Sequence, residues 1–195
     1  MSINKHANRL SKAIIVISLW FSIPAFAQPV QINALFQSWS AIDSAQKKFV
    51  EEQFDPLLEI SQKRYGQLSY QSPDRLEQRY DRPIKGLILF SPSLLKIDLP
   101  NRQMEINVAQ FPELSLFSQT LLNLLNGNLE ALKNTFTIEF KSQSNQTWQL
   151  NLVPKQTFLK QIQAVEIHGS QTDIESILLR QTSGDWRKLT LSTID

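Results

Sequence analysis

Between Lys63 and Val108 apolar and polar residues alternate with a period of two, and the alternation returns between Phe136 and Leu191. In the first block the spacing predicts strands over 63–70, 75–82, 85–90, 94–99 and 103–108. Ser72-Pro73-Asp74, Pro83, Ser91-Pro92-Ser93 and Pro100-Asn101 separate them. The strand over 75–82 is the clearest, with Leu76, Gln78 and Tyr80 on one face and Arg75, Glu77 and Arg79 on the other. In the second block Phe136, Ile138 and Phe140 share a face. The chain turns over 142–146, and Trp148, Leu150 and Leu152 line the returning strand up to Pro154. Strands over 164–168, 174–181 and 186–191 complete the chain, and a further one is expected over 47–54. Connections this short join antiparallel neighbours.

Two stretches have helical spacing instead. Leu35, Trp39 and Ile42 predict an amphipathic helix over 33–44, with Asn33 as its cap. Between the two blocks lies FPELSLFSQTLLNLLNG, residues 111–127. Pro112 and Glu113 suit its first turn, and Gly127 suits the left-handed position after its last. Leu114, Phe117, Leu121, Leu124 and Leu125 form one face, while Leu116 and Leu122 lie off it. A helix apolar round so much of its circumference needs cover on more than one side. It is either an ordinary core helix or a lid over an apolar cavity in the sheet. A short helical turn over 129–133 follows.

The N-terminus sets the expected compartment. Lys5, Arg9 and Lys12 precede an apolar run over 13–23, followed by Pro24 and Ala25-Phe26-Ala27. This is the pattern of a secretory signal peptide, residues 1–27, which leaves a single mature domain over 28–195. Removing it takes Lys+Arg from 20 to 17, against 18 Asp+Glu. The mature chain is then near neutral, without the basic stripe that nucleic-acid binding requires. There is no Cys, so neither a disulfide nor an N-terminal lipid-bearing cysteine is possible.

Catalytic constellations are missing. The mature chain has a single histidine, His168, at the end of a predicted strand, and no nucleophile elbow or phosphate-cradling glycine cluster. One His without Cys does not make a usual zinc set. Glu51 and Glu52 point to opposite sides of their strand and do not converge. No enzyme activity, cofactor or metal is expected.

The order and spacing of several motifs resemble the periplasmic carriers of the LolA type. They are Phe49-x-Glu51, Gly66-x-Leu68, Ser72-Pro73-Asp74-x-Leu76, Pro112-x-Leu114, Leu125-x-Gly127-x-Leu129, Trp148-x-Leu150-x-Leu152-x-Pro154 and a late Gly169. The resemblance implies a mainly β (α+β) fold, an unclosed and strongly curved antiparallel β-barrel covered by a few helices. It implies a carrier of lipid or acylated cargo across the periplasm, from an inner-membrane exporter to an outer-membrane acceptor; a monomer is expected. Leu68, Tyr70, Leu76, Gln78 and Tyr80 would face the cavity, and Leu114, Phe117, Leu121 and Leu124 would cover it. Two positions depart from the family: Ser72 stands where an Arg commonly helps hold the lid, and Gln78 where an aromatic commonly points inward. They place the chain closer to LolA-related proteins than to the housekeeping lipoprotein carrier. A buried amide is costly unless hydrogen-bonded, so Gln78 pairs either within the protein or with a polar part of the cargo. The alternative is the same fold with a filled interior, acting as an interaction or envelope-sensing module.

Overall fold

The computed structural model describes residues 30–143, 146–155 and 161–194, excluding the side chains of residues 112–114, 116 and 117. The expected signal peptide and the Ser144-Asn145 turn lie outside the described residues, as do the side chains of Leu114, Leu116 and Phe117. Eleven antiparallel strands form one sheet: β1 (Ser44–Asp55), β2 (Ile60–Gln71), β3 (Arg75–Arg82), β4 (Gly86–Phe90), β5 (Leu94–Leu99), β6 (Arg102–Asn107), β7 (Phe136–Ser142), β8 (Thr147–Pro154), β9 (Ile162–Ser170), β10 (Asp173–Gln181) and β11 (Trp186–Ser192). Helix α1 (Ile32–Ser40) precedes them, and α2 (Pro112–Leu125) and α3 (Leu129–Thr135) separate β6 from β7.

The spatial order is β6-β5-β4-β3-β2-β1-β11-β10-β9-β8-β7. The chain winds outward from β1 to one edge, crosses by way of the helices to the other edge, and winds back until β11 pairs with β1. Antiparallel ladders account for every neighbour, and among the described residues β6 and β7 are the edges of the sheet. The barrel is therefore unclosed, as expected. It is also strongly curled. Side chains from β4 and β7 line the same cavity, yet on a flat sheet with strands about 4.8 Å apart they would be about 38 Å from each other. The crossing from edge to edge is what carries α2 over the concave face.

Alternation places the predicted faces as expected: Leu76, Gln78 and Tyr80 are buried on β3, and Trp148, Leu150 and Leu152 on β8. An apolar cluster joins α1 (Leu35, Phe36, Trp39) to α2, α3 and the β7–β9 half of the sheet. Trp148 packs at a tilt against Trp39 (5.6 Å between centroids) and lies against Gly169, its cross-strand partner. A Cβ at Gly169 would come within 2.3 Å of the Trp148 ring and 2.1 Å of the Asp173 carbonyl, so only glycine fits.

The first helix differs from expectation. It begins after an extended Gln31 that makes no side-chain cap, and it ends at Ser40, short of Ser44. The reason is the β1 ladder, which runs back to pair Ser44 with Gln71 and draws residues 44–46 into the sheet. Ile42, read as helical, leaves the helix in a turn closed by its N–H to the Trp39 carbonyl (3.0 Å).

Candidate functional site: an apolar cavity beneath helix α2

Helix α2 is fixed at its C-terminal end by groups that the sequence pattern only partly announced. Gly127 follows it at φ 66°, and a Cβ there would lie 2.1 Å from the Phe36 carbonyl oxygen and 2.6 Å from the Ser40 nitrogen. The missing side chain thus lets the end of α1 pack against the end of α2. The side-chain oxygen of Asn126 accepts a hydrogen bond from the Tyr70 hydroxyl (2.6 Å), and its amide donates to the Pro73 carbonyl (2.7 Å). One amide therefore ties α2 to both β2 and the β2–β3 turn. Leu122 and Leu124 are buried and Leu121 and Leu125 half-buried, as the all-round apolar pattern required.

Under this helix lies a cavity of about 160 Å³. Thr120, Leu121, Leu124 and Leu125 form its roof. Leu68, Leu76, Gln78 and Phe90 form one wall, and Phe136, Leu152, Val165 and Ile177 the opposite one. Leu179, Leu189 and Arg187 contribute from the strands between. A second cavity of about 120 Å³ shares Leu68, Leu76 and Leu125 and extends towards Trp39, Tyr70 and Leu191. Of the residues expected to face or cover a cavity, Leu68, Leu76, Gln78, Leu121 and Leu124 line the first and Tyr70 the second. Tyr80 lines neither of them.

Tyr80 belongs instead to a polar cluster centred on Glu51, which is only 1% exposed. Oε2 of Glu51 accepts from the Tyr80 hydroxyl (2.9 Å) and from Nε2 of Gln78 (2.9 Å), and Oε1 accepts from Arg64 (3.1 Å). Nε of Arg187 stands 4.0 Å from Oε1. Stripping water from a carboxylate costs several kcal/mol, and the three donors supply charge-assisted hydrogen bonds that offset this cost. Gln78 therefore pairs within the protein, one of the two outcomes expected for it. Glu52 points to the other side, within 3.8 Å of Lys63. The signal for this cluster was present: Glu51 is in phase with inward-facing Phe49, Arg64 with Gly66 and Leu68, and Arg187 with Leu189. Charged residues at inward positions read as solvent-facing until the register is known.

Burial, followed by the charge of and the hydrogen bond to Glu51, pushes the Tyr80 phenol well above its ordinary value of 10.0. Folded Tyr80 thus holds its proton at a pH where the unfolded chain releases it. Its contribution to stability is intact below pH about 10 and is lost as pH rises further. The unfolding free energy of the wild type is expected to fall more steeply above pH 10 than that of Tyr80→Phe, by up to about 1.4 kcal/mol per pH unit. Urea titrations of both proteins across that range measure the difference; equal slopes would contradict the buried pairing.

No protein-family model matches the sequence, and no curated protein matches it. Among solved structures, the chain is similar to a LolA superfamily protein from Nitrosomonas europaea, with 12% identity and a TM-score of 0.41, over 84% of this chain and 92% of that one. It is also similar to a domain described as outer membrane lipoprotein-sorting from Vibrio parahaemolyticus, at 8% identity and a TM-score of 0.46, over 83% and 89% of the two chains. A MucA/MucB complex of Pseudomonas aeruginosa matches at 12% identity and a TM-score of 0.48, over 84% of this chain but only 56% of that one. The chain's own sheet is an unclosed and curled antiparallel barrel with helix α2 across its concave side.

Proposed function

We propose that this protein is a periplasmic carrier that shields the acyl chains of a lipoprotein or another lipidic cargo between the inner and outer membranes of a Gram-negative cell. The observation that carries this reading is the apolar cavity between α2 and the curled sheet, with leucines and a phenylalanine contributed by both halves of the barrel. On this reading residues 1–27 direct export and are removed, and the mature monomer receives its cargo from an inner-membrane exporter and delivers it to an outer-membrane acceptor. Among the described residues no helix is long and apolar enough to cross a membrane. Each acyl CH₂ moved from water into such a cavity gains about 0.8 kcal/mol, so shielding alone provides useful affinity without a dedicated polar pocket.

The resting volume of about 160 Å³ is below the roughly 300–1,000 Å³ of ordinary ligand pockets. A long chain therefore enters by displacing α2 from the concave face. Leu121 tests this role. Leu121→Glu places a carboxylate in the roof and removes an apolar contact worth about 1.5–3 kcal/mol, so a fluorescent fatty acid is expected to bind about tenfold to a hundredfold more weakly. The cooperative unfolding of the sheet should persist. Loss of folding in parallel with loss of binding would make α2 an ordinary core helix.

The modest volume favours one other reading, a non-carrying interaction or envelope-sensing module. Phe136 and Trp148 are both about 2% exposed and already occupy much of the β7–β8 side. Wild-type protein that fails to shift the fatty-acid probe and carries no host lipid would decide for that module.

A further inference from the structure

The cavity is not apolar at both ends. Along β11, Arg187 and Leu189 line the first cavity and Leu191 the second. These inward positions fall every second residue and span about 13 Å from Arg187 to Leu191. The inward row of β11 thus starts at a guanidinium and runs in one direction into leucines. The neighbouring charges leave that guanidinium in surplus. Glu51 is the single carboxylate of the cluster, against both Arg64 and Arg187. Its oxygens already accept from Arg64, Gln78 and Tyr80, while Arg187 is 4.0 Å away, beyond hydrogen-bond distance. Among the described residues this is the only ion pair Arg187 makes, and its side chain is 38% exposed, so a polar head group at this end remains in reach of water.

We infer that the cavity is a site for an anionic single-chain amphiphile, the acyl tail lying between α2 and the leucines of the sheet and the carboxylate or phosphate monoester meeting Arg187. This deepens the carrier reading and rests on it. A guanidinium offers paired N–H donors in the plane that either head group accepts, and the charge is not neutralised beforehand by a hydrogen-bonded carboxylate. The two cavities, about 160 Å³ and about 120 Å³, share Leu68, Leu76 and Leu125, and once α2 is displaced their small size favours one chain over two.

The test uses the full chain, expressed with its own N-terminal segment and purified as the cell leaves it. Nile red, a neutral probe, is displaced by palmitate, hexadecyl phosphate, hexadecanol and a two-chain phosphatidylglycerol at one pH and ionic strength. Palmitate, hexadecyl phosphate or both are expected to displace the probe at least about tenfold better than hexadecanol. Success of palmitate alone assigns a free fatty acid, and success of hexadecyl phosphate alone a phosphorylated head group. In Arg187→Gln the anion-to-alcohol ratio should collapse to within about twofold of unity, and in Arg187→Lys part of it should return. Equal binding of anion and alcohol by the wild type overturns the inference while leaving the carrier reading in place, and this comparison needs no variant. A preference that survives Arg187→Gln, or tighter binding of the two-chain lipid, also overturns it. If nothing displaces the probe because nothing binds, the carrier reading fails as well.

Discussion

Glu51→Ala is expected to destabilise the protein by about 3 kcal/mol, the lower end of the range for breaking a buried ion pair. The carboxylate is 1% exposed and holds Arg64, Gln78 and Tyr80 together. Removing it leaves an amide and a phenol without their acceptor inside the sheet and a guanidinium without its counter-charge. Arg64 is 34% exposed and can recruit water, which keeps the loss from the upper end of that range. The cluster draws on β1, β2, β3 and β11, so it spans the β1–β11 seam where the first and last strands meet. Urea denaturation gives the number directly. A loss below about 1 kcal/mol, typical of an exposed pair, would mean that Glu51 keeps its water and the interior at this end is wet.

Trp148→Ala is the other large loss, about 3–5 kcal/mol, the usual cost of truncating a buried aromatic. The ring fills the space above Gly169, touches Trp39 and Phe140, and its Nε1 donates to the Gln171 carbonyl (3.0 Å). Gly169 has no side chain of its own to fill the void from the opposite strand. Trp148 also fastens α1 to the β7–β9 half of the barrel through Trp39, whose Nε1 donates to the Thr172 carbonyl (2.8 Å). Trp148→Phe keeps most of the apolar contact and loses the hydrogen bond, so it should fall between wild type and Trp148→Ala. Similar stabilities for all three would show that this wall repacks freely and does not brace the helix.

Much of this architecture could be read from the residues because its local signals agree with one another. The strand over 75–82 is bounded by Ser72-Pro73-Asp74 and Pro83 and alternates without interruption, and the observed β3 covers the same residues. Pro112 and Gly127 framed α2 for the same reason. The end of α1 was illegible because Ala41, Ile42 and Asp43 include neither Gly nor Pro, and Ile42 prolongs the helical period. Only the pairing of Ser44 with Gln71 shows that the strand has already begun.

The cavity roof was legible as an apolar helix crossing between two blocks of strands, but the Glu51 cluster was not. Its members come from β1, β2, β3 and, far along the chain, β11, and meet only through the β1–β2, β2–β3 and β1–β11 registers. Gln78 was recognisable as an inward polar group without an obvious partner, and the partner was out of reach without that register. The same holds for Tyr80, which alternation placed correctly on the inner face but whose hydroxyl turns to Glu51 and away from the apolar lining.

Native mass spectrometry, with lipid extraction, of the protein purified from its own host decides between carriage and its absence. A carrier is expected to show a discrete added mass that disappears on extraction, with the extract naming the cargo class. Folded protein without added mass, still bare after incubation with host membranes, would contradict carriage and make the helix-covered sheet an interaction module.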